Sequence, residues 1–571
     1  MTSNRGAPLT VNRLVAGLTA DRSPIALYAV AAAIGSILAL YLLGWDGIQG
    51  TSDFWAESHD DTTHPIVGLR YYMNEGWTWP PLSIEGFGYP SGTSVIFSDS
   101  IPVLAVGAKL FSGLLPVGFH YFGYWIALCF VLQAVSAVAL LVTLGWRSHA
   151  VAVVGSGLAL LQTALISRYG HPSLMGQFLI ILTLVVGVRA IKSGEPAKRM
   201  WLLWGLPAVA FFVHLYLFIM VLVLAGSFVA ELTVRGRIDR RRAFGWYLAS
   251  LIGTVVAVVV ADVGSSVREV GGFGLLSMNL LSPITRGVDA TGGQYEGFIY
   301  LGLGMLMLTV LAIAESRVAA LALIRKHWIP ALATAAMALY ALSTTVYMGH
   351  HLLLAVPSVP PIDWIGNRFR STGRFAWPAV YMLIPAAIIL TGRRFKTNVT
   401  ISILVLALAV QAVDMWPDVE NTRDRLHAAD GQVLAADAWA ELVGGYTLVS
   451  ATPHQCLPRS EPAEWASLEL QRITAQLNVP ITTAAVARRA FDCGDPLSGP
   501  LVPGELRVFW HVGEEPIPST SGGGVCVEFE LGALCTLDAS NLAGVSGMPT
   551  LLAGPGAGTL GDLINRDVIA D

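Results

Sequence analysis

The chain is written in long apolar runs separated by short polar stretches, and its basic residues are unevenly shared among those stretches. The first run, 24–45, holds about 20 residues, enough to cross a hydrocarbon core of roughly 30 Å. Arg5, Arg13 and Arg22 precede it, and no small-residue cleavage site follows, which predicts a retained anchor rather than a removed signal. Keeping positive charge in the cytoplasm then sets the winding. Runs at 121–146, 151–167, 174–190, 246–263, 298–314, 328–348, 380–390 and 401–413 fall into place. The turns predicted to lie inside hold Arg147, then Arg189 to Arg199, Arg235 to Arg242, Arg317 to Lys326, and Arg393 to Lys396. The stretch 200–232 is too long for one span and has basic flanks on both sides, so two short helices must meet outside near His214. The pattern predicts an α-helical polytopic membrane protein of about 11 spans, N-terminus inside. The piece 101–116 is short and bounded by prolines, and counting it as a span would invert every later basic turn. It is expected to lie as a helix at the outer interface.

After Trp416 the pattern changes to that of a small soluble α/β domain. Helical periodicity at 425–442 precedes the strand-like YTLVS, an amphipathic stretch at 465–477 precedes ITTA, and LRVFW, VCVEFEL and ALCTL follow among Gly and Pro turns. The expected division is therefore a membrane part, 1–416, with its first external loop at 45–118, and an extracytoplasmic domain, 417–571.

Composition agrees with that division. Of 571 residues, 54% are hydrophobic and 13% charged, about half the charged share of an ordinary soluble domain. Membrane lipid is the expected partner and nucleic acid is not. Cys129 lies in an apolar run, whereas Cys456, Cys493, Cys526 and Cys535 all fall in the C-terminal part, an even set that predicts two disulfides in an oxidising compartment. Four cysteines allow three connectivities; the short separation of the last two favours Cys526 with Cys535 and Cys456 with Cys493.

Four outer loops face one side and carry the unusual residues. The first contains SHDDTTH and FSDS, the second RYGHPS, the third GGQYEGF and the fourth IGNRFRSTGRFAWP. Asp60 and Asp61 can supply a general base for a hydroxyl, or ligands for a hard divalent cation such as Mg or Mn. A solvated acidic loop is the plain alternative, and the neighbouring His59 and His64, with aromatics close by, argue for a binding role. Asp99 can cap the helix that follows or act on a proton. Arg368, Arg370 and Arg374 lie where the charge rule disfavours cations. Their forks suit a phosphate or pyrophosphate, and equally the loop acids or lipid headgroups. Gln294, Tyr295 and Glu296 are bracketed by Gly293 and Gly297, so the backbone can approach a ligand or simply turn. His171 and His214, at outer helix ends, can be structural or substrate-binding.

Three stretches carry a resemblance: SDSIPVLA from Ser98, GQYEGFIYLGLG from Gly293 and RSTGRFAWP from Arg370. Over 46–414 the chain resembles the GT-C class of membrane glycosyltransferases. Its nearer likeness is to a little-characterised group of bacterial multi-pass proteins that read TDSIPLLA, GQYEGFNYLGLG and RSSGRFFWP at these places. The resemblance implies transfer of a sugar, with inversion, from a polyprenyl-phosphate carrier to a glycan, lipid or protein acceptor. It places the chain in the bacterial inner (cytoplasmic) membrane with the C-terminal domain periplasmic. It also implies an acid of the first loop as base: Asp60, which opens a D-x-x-x-H pattern with His64, or the adjacent Asp61, with Asp99 next. Arg370 and Arg374 would meet the departing lipid phosphate. A glycolipid transporter or flippase would show charges within several spans and paired halves, which this sequence lacks. A non-catalytic envelope assembly protein is the third reading.

Overall fold

The structure, a computed structural model, describes residues 23–57, 59, 61–263, 272–357, 359–452, 462–487, 499–510, 524–529 and 531–538. Among them, seven helices are long and apolar enough to cross a membrane: Pro24–Gln49, Phe122–Leu144, Pro172–Lys192, Leu215–Val234, Arg240–Val260, Thr372–Arg394 and Thr397–His427. An eighth results if Leu303–Ala314 and Arg317–Lys326, bent by 91° to one another, are taken as one span. The chain is a multi-pass membrane protein. Three further apolar runs form shorter helices, His149–Leu160, Met200–Phe211 and Trp328–Ala341. The first two have 12 residues each and reach about 18 Å at 1.5 Å per residue, less than a hydrocarbon core. Every run in the sequence pattern thus contains a helix, but not every helix has the length of a full span.

The break expected near His214 is present. Met200–Phe211 ends there, and the Nδ1 of His214 accepts the amide of Tyr216 at 3.1 Å as the N-cap of Leu215–Val234. Trp328–Ala341 leads into a hairpin, Thr345–Met348 against His351–Ala355, turned at Gly349 with φ 64°. The short helix Pro102–Leu110 leaves Val103, Leu110, Phe111, Leu114 and Val117 exposed on and after it.

Thr397–His427 runs as one helix through Trp416 and Pro417, so the membrane part and the C-terminal part share a continuous element. Beyond it a four-stranded sheet has the order Leu448–Thr452, Glu505–Trp510, Gly532–Thr536, Val525–Phe529. The first pair is parallel and the others antiparallel. A parallel pair needs a crossover, and the helix Pro462–Leu477 lies in that connection. Glu505–Trp510 is buried at every position, as befits an inner strand. Cys526 and Cys535 face each other in register and are joined by a disulfide; Cys456 and Cys493 lie outside the described residues.

The C-terminal part rests on the first long loop, 45–118. Ile481, in ITTA, bridges in parallel to both Phe87 of that loop and Val449 of the sheet. Its carbonyl accepts the amides of Gly88 and Tyr89, and its own amide donates to the Gly86 carbonyl at 2.8 Å.

Candidate active site

The SDSIP turn is held from below by its two serines. Ser98 and Ser100 are fully buried; their hydroxyls are 2.8 Å apart, and that of Ser100 donates to the Pro65 carbonyl at 2.9 Å. Between them Asp99 sits at φ 61°, the left-handed region that Asp tolerates better than most residues. The next helix, Pro102–Leu110, has Ile101 at its N-cap and no side-chain cap, so Asp99 is not capping it. Asp99 instead accepts the hydroxyl of Ser173 and faces two histidines, the Nδ1 of His171 at 3.5 Å and the Nε2 of His214 at 3.8 Å.

His171 links three acids. Its Nε2 is 3.3 Å from Asp61 and 3.8 Å from Glu296, while its Nδ1 faces Asp99. Glu296 is the anchor of the group. One of its oxygens accepts from Arg168 Nη1 at 2.9 Å and from Arg374 Nη2 at 2.6 Å, and Arg168 also donates to the Glu296 carbonyl. Arg374 lies 5.0 Å over the ring of Tyr216. Residues from the four loops expected to lie outside therefore converge.

The charges balance within this cluster. Burial alone would lower His171, but its hydrogen bonds to Asp99 and Glu296 and the charge of Asp61 outweigh it and raise the imidazole to about 10, so it is a cation at neutral pH. Burial would raise Asp99, yet the hydrogen bond and charge of His171 and the Ser173 hydroxyl hold it below the usual carboxylate range. Glu296 is likewise held well below its ordinary value, Arg374, Arg168 and His171 outweighing burial. His214 goes the other way: burial, then the charges of Arg374 and His171, press it down to about 4 despite Asp99, leaving it neutral. The Asp61 side chain is 46% exposed, against 17% for Asp99 and 11% for Glu296, so it is the acid of this group that solvent or a substrate reaches most readily.

Among the described residues no three His, Cys, Asp or Glu side chains are grouped to hold a metal ion. The ring of His171 stands between Asp61, Asp99 and Glu296.

The other residues singled out in the sequence are placed as follows. Asp60 lies outside the described residues. His59 turns away from the cluster, buried against Trp465 and Glu469. His64 stands in the first turn of Thr63–Asn74. Gln294 is buried and supports the loop, bonding Asn279, Ser277 and the amide of Ala290. Tyr295 is 54% exposed beside it. Arg368 lies 4.5 Å over the Trp364 ring, and Arg370 is half-buried just before the Ser371 amide that donates to the Tyr216 hydroxyl. Arg374 is spent on Glu296, the pairing with a loop acid that was one of its two sequence readings.

The glycines beside Glu296 serve backbone packing. A Cβ on Gly297 would meet the Ser277 carbonyl oxygen at 2.5 Å, and one on Gly373 would meet the Gly297 Cα at 2.2 Å. The third and fourth loops can touch backbone to backbone only without side chains there, and that contact seats Glu296 against Arg374. Arg168 and Ser173 were missed as site residues although both lie within RYGHPS. The signal for Arg168 was available: it is a cation in an outer loop, like the fourth-loop arginines.

Solved structures similar to this chain include the oligosaccharyltransferase of Archaeoglobus fulgidus in the apo form, at 11% identity over 80% of this chain and 64% of that one, with a TM-score of 0.38. The archaeal oligosaccharyltransferase AglB from the same organism, in complex with an inhibitory peptide and a dolichol-phosphate, gives the same values. The enzyme tethered with an acceptor peptide containing the NVT sequon gives 10% and 0.36. This chain spans 64% of the length of those proteins, and a likeness at these scores is too weak to carry an argument. No curated protein matches the sequence. Residues 32–416, which hold every member of the cluster, match the family described as Domain of unknown function (DUF6311), and the chain belongs to that family.

Proposed function

We propose that the protein is a membrane glycosyltransferase of the GT-C type, moving a sugar from a polyprenyl-phosphate carrier to an acceptor hydroxyl at the outer face of the bacterial inner membrane, with the C-terminal domain periplasmic. The observation that carries the reading is the meeting of four outer loops in one charge-balanced cluster with Asp61 at its open edge. In the reaction the acceptor oxygen attacks the anomeric carbon and its proton passes to Asp61. The bond from that carbon to the phosphate oxygen breaks, and the lipid phosphate leaves with the electron pair. One displacement of this kind inverts the anomeric centre. His171, cationic and facing Asp99 on its other side, orients the Asp61 carboxylate. Arg370 is assigned to the leaving phosphate, since Arg374 is engaged by Glu296.

The test is sugar transfer by the purified protein in lipid nanodiscs. Asp61→Asn should lower turnover by about 100-fold or more, the usual range for a lost general base, with carrier affinity little changed. Asp60→Asn is run beside it, and Glu57→Gln is the mild control. If neither Asp variant changes transfer more than a few-fold in folded protein, the base is elsewhere, Asp99 first.

A further inference from the structure

The C-terminal domain touches the chain on both sides of Asp61. His59, two residues before it, is buried with its ring stacked on Trp465 at 5.1 Å and 5°, and its Nε2 lies 2.6 Å from Glu469 Oε1. Glu469 also accepts the amides of Val433 and Leu434, at 2.8 and 2.7 Å. The His59 amide donates to Asp430 at 2.9 Å. Arg472 donates to the Ala56 carbonyl and, through Nη2, to the Thr63 hydroxyl at 2.9 Å, two residues after Asp61.

The contacts continue into the helix that follows the loop. Tyr71 donates to the Val479 carbonyl at 2.7 Å and Asn74 to the Ala475 carbonyl at 3.1 Å. Trp465, Glu469 and Arg472 are spaced i, i+4, i+7 on Pro462–Leu477, so one face of that helix is turned to the loop.

We infer that this helix is a clamp that holds the Asp61 loop in register, with Glu469 and Arg472 as positioning residues. This rests on the assignment of Asp61 as base. Asp61 itself meets the ring of His171, and the residues held either side of it fix its location in the loop. A shift of about 1 Å in a reacting group can cost on the order of 100-fold in rate, which is why a loop-borne base needs such fixing. Glu469 cannot be replaced without also freeing two amides of its own domain, so Arg472, which donates to the loop on both sides of Asp61, is the cleaner probe.

The experiment uses the full chain in nanodiscs with Arg472→Ala, Arg472→Lys and Glu469→Gln, measuring amide hydrogen exchange and sugar-transfer kinetics together. For Arg472→Ala, exchange in peptides covering 56–64 should rise by about 10-fold while Leu448–Thr452 and Glu505–Trp510 stay protected. Turnover should fall by about 10-fold or more with the acceptor KM moved less than about twofold. Lysine should recover part of both, because it can reach one of the two oxygens. Unchanged exchange of 56–64 in both Arg472→Ala and Glu469→Gln would overturn the clamp. Raised exchange with undiminished turnover would uphold the clamp and instead overturn the role of Asp61 as base.

Discussion

Glu296 is the residue whose loss should be felt most widely, because two buried guanidiniums converge on it. The side chains of Arg168 and Arg374 are 6% and 7% exposed and that of Glu296 is 11%. In Glu296→Gln an amide oxygen still accepts one bond, but the cluster of Asp61, Asp99 and Glu296 against Arg168, His171 and Arg374 passes from neutral to one excess positive charge with little solvent to dilute it. Breaking one partner out of a buried pair costs about 3–5 kcal/mol, and the retained acceptor points to the lower end, about 3 kcal/mol. Arg374→Gln errs in the opposite direction by one negative charge. The double variant restores neutrality, so its cost should fall short of the sum of the singles by about 2 kcal/mol or more. The assay is equilibrium unfolding in mixed micelles as the mole fraction of dodecyl sulfate is raised, followed by circular dichroism. Singles that each cost under about 1 kcal/mol and add without coupling would show that Glu296 and Arg374 are not paired in the folded protein.

Gly373→Ala should destabilise by about 1–3 kcal/mol, an overpacking cost, because the methyl lands on the Gly297 backbone; the same unfolding assay reads it. His120, wedged between Trp55 and Phe122, is pushed down to about 4, chiefly by burial. Above pH 6.5 it is neutral folded and unfolded, and nothing is lost. Between pH 6.5 and about 4 the unfolded ring takes up a proton that the folded one refuses. Stability should therefore fall as pH drops through that window, by up to about 1.4 kcal/mol per pH unit; His120→Gln should flatten this slope, and an unchanged slope refutes the assignment. Replacing Cys526 and Cys535 together with serine should cost the C-terminal sheet about 2–3 kcal/mol from the short loop released, read as faster hydrogen exchange in Gly532–Thr536 with the membrane helices unaffected.

Much of the architecture could be read along the chain because its signals are local. A run of apolar residues must be a helix in a bilayer, where each backbone amide needs a partner within its own segment. The helix break at His214 and the strands at YTLVS, LRVFW, VCVEFEL and ALCTL follow from equally short-range patterns. The facing of Cys526 and Cys535 does too, since they lie only 9 residues apart. The same local signals marked Asp61, Asp99, His171, His214, Glu296 and Arg374, which the structure brings together in one cluster.

Which way each side chain turns within those loops was decided by partners far off in sequence. His59 leaves the acidic pair for Glu469, 410 positions away, and Arg374 closes on Glu296, 78 positions away. Arg168 reaches the same carboxylate from 128 positions away. Periodicity and the charge rule register burial and sidedness one segment at a time. A buried charge, by contrast, is stable only beside whichever opposite charge the completed packing delivers, and that choice exists only once the loops have met.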